Sequence, residues 1–238
     1  MYTPCVHTNF NILLKICQDS KFFGVNYTLD LFEKCDIIKY RNGVKMLHLV
    51  IGTMKASKSA TLIDFVNDIE NINYKIFFPA CCNKKDGYVV SRDNDKKVKA
   101  IKIFEINDMY NHLKNVKMVF IDEFQFIANS EEIDEFMQFL EYCDKNNIDV
   151  YCFGLSLDYM SLPFDLTQRV LPYAQDIHVL NANCDNCGKP AYRCLRYVNG
   201  EIDINPNSDT LLMEDANVEY KSVCNKCYRE LTGLNAIK

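Results

Sequence analysis

The sequence predicts an α/β fold: a parallel sheet flanked by helices around a P-loop-like turn, with a small C-terminal zinc-binding lobe. Three observations predict it. Short continuous apolar runs (Met46–Ile51, Met118–Ile121, Asp149–Leu155) alternate with stretches of helical periodicity, the pattern of buried parallel strands joined by crossover helices. The first run ends in Gly52-Thr53-Met54-Lys55-Ala56-Ser57-Lys58-Ser59. Two C-x₂-C pairs, Cys184/Cys187 and Cys224/Cys227, close the chain.

Taken in order, residues 1–44 carry two apolar clusters, Phe10–Cys17 and Tyr27–Ile38. The Phe10, Leu13, Leu14, Cys17 spacing is helical, and the segment reads as an N-terminal extension that packs on the core or on a partner. Residues 45–180 read as the α/β domain and 181–238 as the zinc lobe. Met46–Ile51 predicts a buried strand in which His48 is a satisfied core histidine. A helix follows over Ala60–Ile69, with Leu62, Phe65, Val66 and Ile69 on one face. Lys75–Pro79 is a third strand, Cys82–Asp95 a polar loop, and Val98–Ile106 an alternating, half-buried strand. A helix is expected over Ile106–Leu113. Another spans Ser130–Asn146, with Ser130, Glu131 and Glu132 at its start and Ile133, Phe136, Met137 and Leu140 inward. The remaining cysteines need only packing.

The composition excludes several classes. A net charge of −5 across 238 residues, with a pI near 5.4, argues against a broad nucleic-acid footprint. No apolar run reaches the roughly 18 residues of a membrane span, and no secretory signal pattern opens the chain. The expectation is a cytoplasmic protein whose 12 cysteines are thiols and metal ligands rather than disulfides.

The chemistry lies in three places. A strand, an eight-residue loop ending Lys58-Ser59 and a helix form the context of a phosphate-binding loop. Backbone N–H groups would cradle phosphates, Lys58 would reach the β- and γ-phosphates, and Ser59 would offer its hydroxyl to Mg²⁺. Ser57 stands where the pattern has glycine, a residue used for conformations closed to side chains. The residues alone leave open a plain polar turn with a serine cap and a surface lysine. Asp122 and Glu123 follow an apolar strand, where open α/β sheets place ligands. Asp122 suits Mg²⁺ and Glu123 suits a base; the plain alternative is an acidic helix start. Cys184, Cys187, Cys224 and Cys227 match a tetrahedral structural zinc site that staples a long loop at its base.

Together these features resemble the zinc-containing, type II cellular thymidine kinases over roughly residues 45–229. That family's G-P-M-F-S-G-K-S loop corresponds to Gly52–Ser59, and its D-E-x-Q-F to Asp122-Glu123-Phe124-Gln125-Phe126. G-L-D-x-D-F-x-x-x-P-F corresponds to Gly154–Phe164. L-x-A-x-C-x-x-C-G-x-P-A corresponds to Leu180–Ala191, and Y-x-x-V-C-x-x-C to Tyr220–Cys227. The resemblance implies transfer of the ATP γ-phosphate to the 5′-hydroxyl of thymidine, with Mg²⁺ and a structural Zn²⁺, in a homotetramer. It implies Glu123 as catalytic base and residues 52–59, Asp122 and Gln125 on the ATP and Mg²⁺ side. Tyr159 falls where the family packs a phenylalanine on the base. Leu211, Asp215 and Tyr220 fall in the family's lasso loop, which closes on thymine. Ser57, Ser156, Asp215-Ala216-Asn217 and Asn225 depart from the family pattern, and the lasso is longer. Lys58, Ser59, Asp122 and Glu123 are all retained. Two other readings stand beside the kinase: a weak or inactive relative kept as a nucleotide-binding or interaction module, and a zinc protein that binds nucleic acid.

Overall fold

A computed structural model describes residues 47–82, 87–91, 96–210 and 217–233. The apolar clusters of residues 1–44 and the lasso residues Leu211 and Asp215 lie outside the described residues.

The elements, in chain order, are strand β1 (Leu47–Gly52), helix α1 (Lys58–Asp68) and strands β2 (Tyr74–Pro79), β3 (Tyr88–Val90), β4 (Lys97–Lys99) and β5 (Ile101–Ile103). Helix α2 (Ile106–Tyr110), strand β6 (Met118–Asp122), helix α3 (Ile133–Lys145), strand β7 (Asp149–Leu155), helix α4 (Asp165–Val170) and strand β8 (Asp176–Leu180) follow. The lobe then contributes strands β9 (Ala182–Asn183), β10 (Pro190–Ala191), β11 (Arg193–Val198), β12 (Glu201–Ile202) and β13 (Val218–Val223). Helix α5 (Asn225–Thr232) ends it.

The main sheet has six strands in the order β5-β2-β6-β7-β1-β8, and every pairing in it is parallel. β1 and β6 are buried along their whole length, as expected of strands covered on both faces. On one face Phe65 of α1 packs edge-on to Phe120, their ring centres 5.4 Å apart, and lies 4.9 Å from Tyr151. On the other, α3 buries Phe136, Phe139 and Cys143.

Several boundaries differ from the sequence expectation. β7 lies between β1 and β6, so the loop after β1 and the carboxylates after β6 approach each other across one strand. The alternating segment from Val98 is two strands, not one. The Ala100 N–H donates to Gly87 O at 2.8 Å, which turns β4 into a hairpin with β3 and leaves β5 for the main sheet. Helix α3 begins later than Ser130 because Asn129 Oδ1 accepts the N–H groups of Glu131 and Glu132 at 2.9 and 3.1 Å, a local competitor to helix. β8 carries an alternating edge-strand pattern, with Ile177 and Val179 exposed, and was not expected. His48 is a satisfied core histidine: its ring stacks on Tyr151 with centroids 4.0 Å apart, and Nδ1 lies 3.2 Å from Asp176 Oδ2.

The stretch between the cysteine pairs is more than a loop. β11 pairs antiparallel with β12 and β13 to form a three-stranded sheet, and β9 with β10 forms a short hairpin.

Candidate functional site

The loop Gly52–Ser59 leaves β1 at the carboxyl edge of the sheet and enters α1. The N-cap Ser57 has φ 53° and ψ 24°, and Lys55 has φ 60°. Both are left-handed positions, and such a conformation costs a side-chain-bearing residue about 1–2 kcal/mol. Here lies the physical reason that position 57 favours glycine. Ser57 nonetheless holds the helix start: its carbonyl accepts the N–H of Thr61 at 2.9 Å and its hydroxyl at 3.0 Å. The first turn of α1 carries no acidic residue of its own, which favours an anion at the helix N-terminus.

Lys58 is buried, and its ammonium folds back onto the loop carbonyls of Thr53 (2.7 Å) and Gly52 (3.3 Å). Ser59 Oγ lies 3.3 Å from Asp122 Oδ2. The fold thus joins the loop after β1 to the carboxylate after β6. Asp122 is 1% exposed. Oxygen donors of this kind, a carboxylate beside a hydroxyl, suit Mg²⁺.

Glu123 has φ 56°, a strained position of the sort found at functional sites. Gln125 fixes its carboxylate by donating from Nε2 to Glu123 Oε2 at 2.8 Å. Gln125 is itself fixed by the Leu155 N–H, which donates to its Oε1 at 2.9 Å. The close passage of this chain past β7 requires Gly154, since a Cβ there would collide with the Gln125 amide and with Phe124 Cδ1 at 2.6 Å.

Tyr159 and Tyr220 come together in one apolar cluster with Cys194 and Val218, and Met54 packs against it. The Tyr159 hydroxyl donates to Asn205 O at 2.6 Å. Arg196, fully buried, places its guanidinium carbon 3.5 Å from the centre of the Tyr159 ring. Its Nε and Nη2 donate to Asp203 Oδ2 at 3.1 and 2.7 Å. Burial works against this charge, but Tyr220 and Asp203 outweigh it and hold Arg196 above its ordinary pKa. Asp203, also opposed by burial, is drawn below the usual carboxylate range by the Asn205 N–H, Arg196 and Ser208.

Cys184, Cys187, Cys224 and Cys227 bring their sulfurs within 4.8 Å of one another, and Cys187 Sγ lies 3.6 Å from Cys224 Sγ. A tetrahedral zinc with Zn–S near about 2.3 Å requires sulfurs about 3.8 Å apart, so the four cysteines can hold a zinc ion. The Cys227 N–H points at Cys224 Sγ (3.5 Å), and Asn186 Nδ2 donates to Cys227 Sγ at 3.2 Å. Burial opposes the Cys184 thiolate, yet backbone N–H groups of Cys224, Asn186 and Cys187 bring it down to about 6. At Cys227, the Asn186 amide favours the thiolate, but burial and the neighbouring thiols push it up to about 12.

The sequence reading missed several residues that shape the site. Arg196, Asp185 and Ser222 act through contacts with residues far away in sequence, and no local pattern announces them. Of the other cysteines, Cys143 and Cys152 are buried in the core, and Cys82 and Cys194 are buried as well. Cys81 is exposed, and a hydrogen bond from the Cys82 thiol holds it down at about 7. Among the described residues, no helix is long and apolar enough to cross a membrane.

The order of these parts along the chain is that of one known family. The thymidine kinase family model matches residues 45–228, which takes in the loop, both carboxylates, Tyr159, Tyr220 and all four clustered cysteines, and the chain belongs to the thymidine kinase family.

Proposed function

We propose that this chain is an ATP-dependent deoxynucleoside kinase that phosphorylates the 5′-hydroxyl of thymidine. The observation that carries the proposal is the contact of Ser59 Oγ with Asp122 Oδ2 at 3.3 Å, beside a Glu123 held by Gln125. Phosphoryl transfer asks a protein mainly for positioning and charge neutralisation. Backbone N–H groups of residues 53–59 and the start of α1 receive the phosphates. Lys58 exchanges its bonds to Thr53 and Gly52 carbonyls for phosphate oxygens. Asp122 and Ser59 would hold Mg²⁺, which when bound neutralises charge on the β- and γ-phosphates. Glu123 takes the proton from the nucleoside 5′-hydroxyl as the new O–P bond forms and the bond from the γ-phosphorus to the departing ADP breaks. Tyr159 and Tyr220, with Met54, offer the apolar wall for the base. Leu211 and Asp215 belong to the lasso that closes on it. The four cysteines hold a structural zinc, and the working unit is a homotetramer.

A second reading is a weak or inactive nucleotide-binding relative, and Ser57 at φ 53° favours it. Steady-state phosphorylation of a nucleoside panel by the zinc-replete protein with Mg·ATP separates the two. Thymidine-selective turnover is expected. Nucleotide binding with no turnover of any nucleoside would replace the kinase with the binding module.

A further inference from the structure

Three hydrogen bonds tie the phosphate loop to the C-terminal lobe. Thr53 Oγ1 donates to Arg193 O at 3.1 Å. Lys55 Nζ donates to Asp185 Oδ2 at 3.0 Å. Ser222 Oγ donates to Met54 O at 2.6 Å. Ser222, on β13, is fully buried, and it is linked to Asp185 twice. Its N–H donates to Asp185 Oδ2 at 2.7 Å, and its carbonyl accepts the Asp185 N–H at 2.8 Å. Met54, Lys55, Asp185 and Ser222 therefore close a ring. Ala56, within the loop, is buried in the same apolar cluster as Cys184, Cys224, Cys227 and Tyr228.

This matters because of what the loop backbone does between those anchors. Lys55 and Ser57 both adopt left-handed φ values, 60° and 53°. Side-chain-bearing residues persist there only where their surroundings over-determine the conformation. With glycine at position 57 the loop would take this shape without strain; with serine it needs an external hold. From the helix side, Lys58 holds the carbonyls of Thr53 and Gly52. The lobe adds the hold on Met54 and Lys55.

The geometry points to Ser222, backed by Asp185, as a positioning residue for the phosphate loop, so that the C-terminal lobe governs the nucleotide side of the site as well as the base side. The identity of the nucleotide as ATP rests on the kinase reading above. Neither residue touches the phosphates; they act through the Met54 carbonyl and the Lys55 ammonium. Losing the Ser222 hydroxyl releases Met54, and the strained segment gains other conformations that receive phosphates poorly.

The test compares Ser222→Ala, Asp185→Asn, Ser57→Gly and the double variant Ser222→Ala/Ser57→Gly with the unmodified full chain, all zinc-replete. Each is titrated with a fluorescent ATP analogue and assayed for KM toward ATP and toward the nucleoside. Loss of one hydrogen bond predicts that Ser222→Ala weakens nucleotide binding about three- to tenfold, with a smaller rise in the nucleoside KM because Met54 also borders the cluster of Tyr159 and Tyr220. In the Ser57→Gly background that penalty shrinks by about half or more, because the two changes act on one strained segment. Asp185→Asn keeps an acceptor for Ser222 and loses only the exposed pair with Lys55. It should weaken binding about twofold, an effect that disappears at high salt. Unchanged nucleotide affinity in Ser222→Ala, an equal rise in both KM values, or the same penalty with glycine at 57 would each overturn the assignment. If Ser222→Ala does not fold, the salt-dependent loss in Asp185→Asn decides, and its absence counts against the proposal. Nucleotide binding without turnover in the unmodified chain would remove the kinase reading and leave this inference standing. No nucleotide binding at all would remove both.

Discussion

Ser59 and Asp122 meet at 3.3 Å although 63 residues separate them. The contact exists because β7 lies between β1 and β6, so the turn after β1 and the end of β6 face each other across one strand. Around this pair, the phosphate loop and the carboxylates form one site.

Glu123 is the group proposed to accept the nucleoside proton, and Gln125 already orients it at 2.8 Å. Glu123→Gln preserves size and retains an oxygen acceptor toward Gln125, but removes the base. Turnover should fall by about 10²- to 10⁴-fold with an unchanged melting temperature and nucleotide affinity. Turnover close to the unmodified level would show that another group takes the proton.

The sulfurs of Cys184, Cys187, Cys224 and Cys227 converge within 4.8 Å. Elemental analysis of purified protein should find one zinc per chain. Stripping it with a strong chelator should lower the melting temperature, because a structural metal contributes folding free energy directly. Cys227→Ser should lose the metal and reproduce the shift. A chain without zinc that melts at the same temperature would remove the metal from the account.

Arg196 and Asp203 have side chains 0% and 9% exposed. Arg196→Met fills the space yet leaves Asp203 and the Asp209 carbonyl without their guanidinium. Breaking one side of a buried pair costs about 3–5 kcal/mol, which urea unfolding would register. The same variant frees the face of Tyr159, so any folded fraction should show a raised nucleoside KM.

His48 lies below its ordinary value of 6.5, because burial disfavours the imidazolium more than Asp176 and Asp149 favour it. The folded chain therefore binds this proton more weakly than the unfolded chain, and stability rises with pH through the window. The contribution is complete above about pH 6.5 and is lost as pH falls through the lower folded value. Asp176 lies between the two histidines, 3.2 Å from His48 Nδ1 and 2.9 Å from His178 Nε2. His48→Phe retains a ring against Tyr151 and should flatten the fall in urea midpoint between about pH 7 and pH 5. An unaltered slope would show that His48 does not carry this pH dependence.

Much of this molecule can be read along the chain. The runs at residues 46–51, 118–121 and 149–155 become β1, β6 and β7 because short, largely apolar runs rich in β-branched and aromatic residues suit strands covered on both faces. The zinc quartet was legible because two C-x₂-C turns carry their own geometry. Lys58-Ser59 and Asp122-Glu123 were legible because each stands at the end of such a run. The edge strand β8 was not, since its alternation of half-buried and exposed residues resembles a surface turn as closely as a strand. Nor was the division of Val98–Ile106, which depends on a hydrogen bond from Ala100 to Gly87.

The sequence by itself determined the parallel sheet, the loop before α1, the paired carboxylates and the cysteine quartet, because each is written in neighbouring residues and local periodicity. Only the tertiary structure decided that β7 separates β1 from β6, that Gln125 spans from Leu155 to Glu123, that Arg196 lies under Tyr159, and that Ser222 grips Met54. Those relations join residues up to 168 positions apart. They arise from strand order and burial, which close distances that no local pattern encodes.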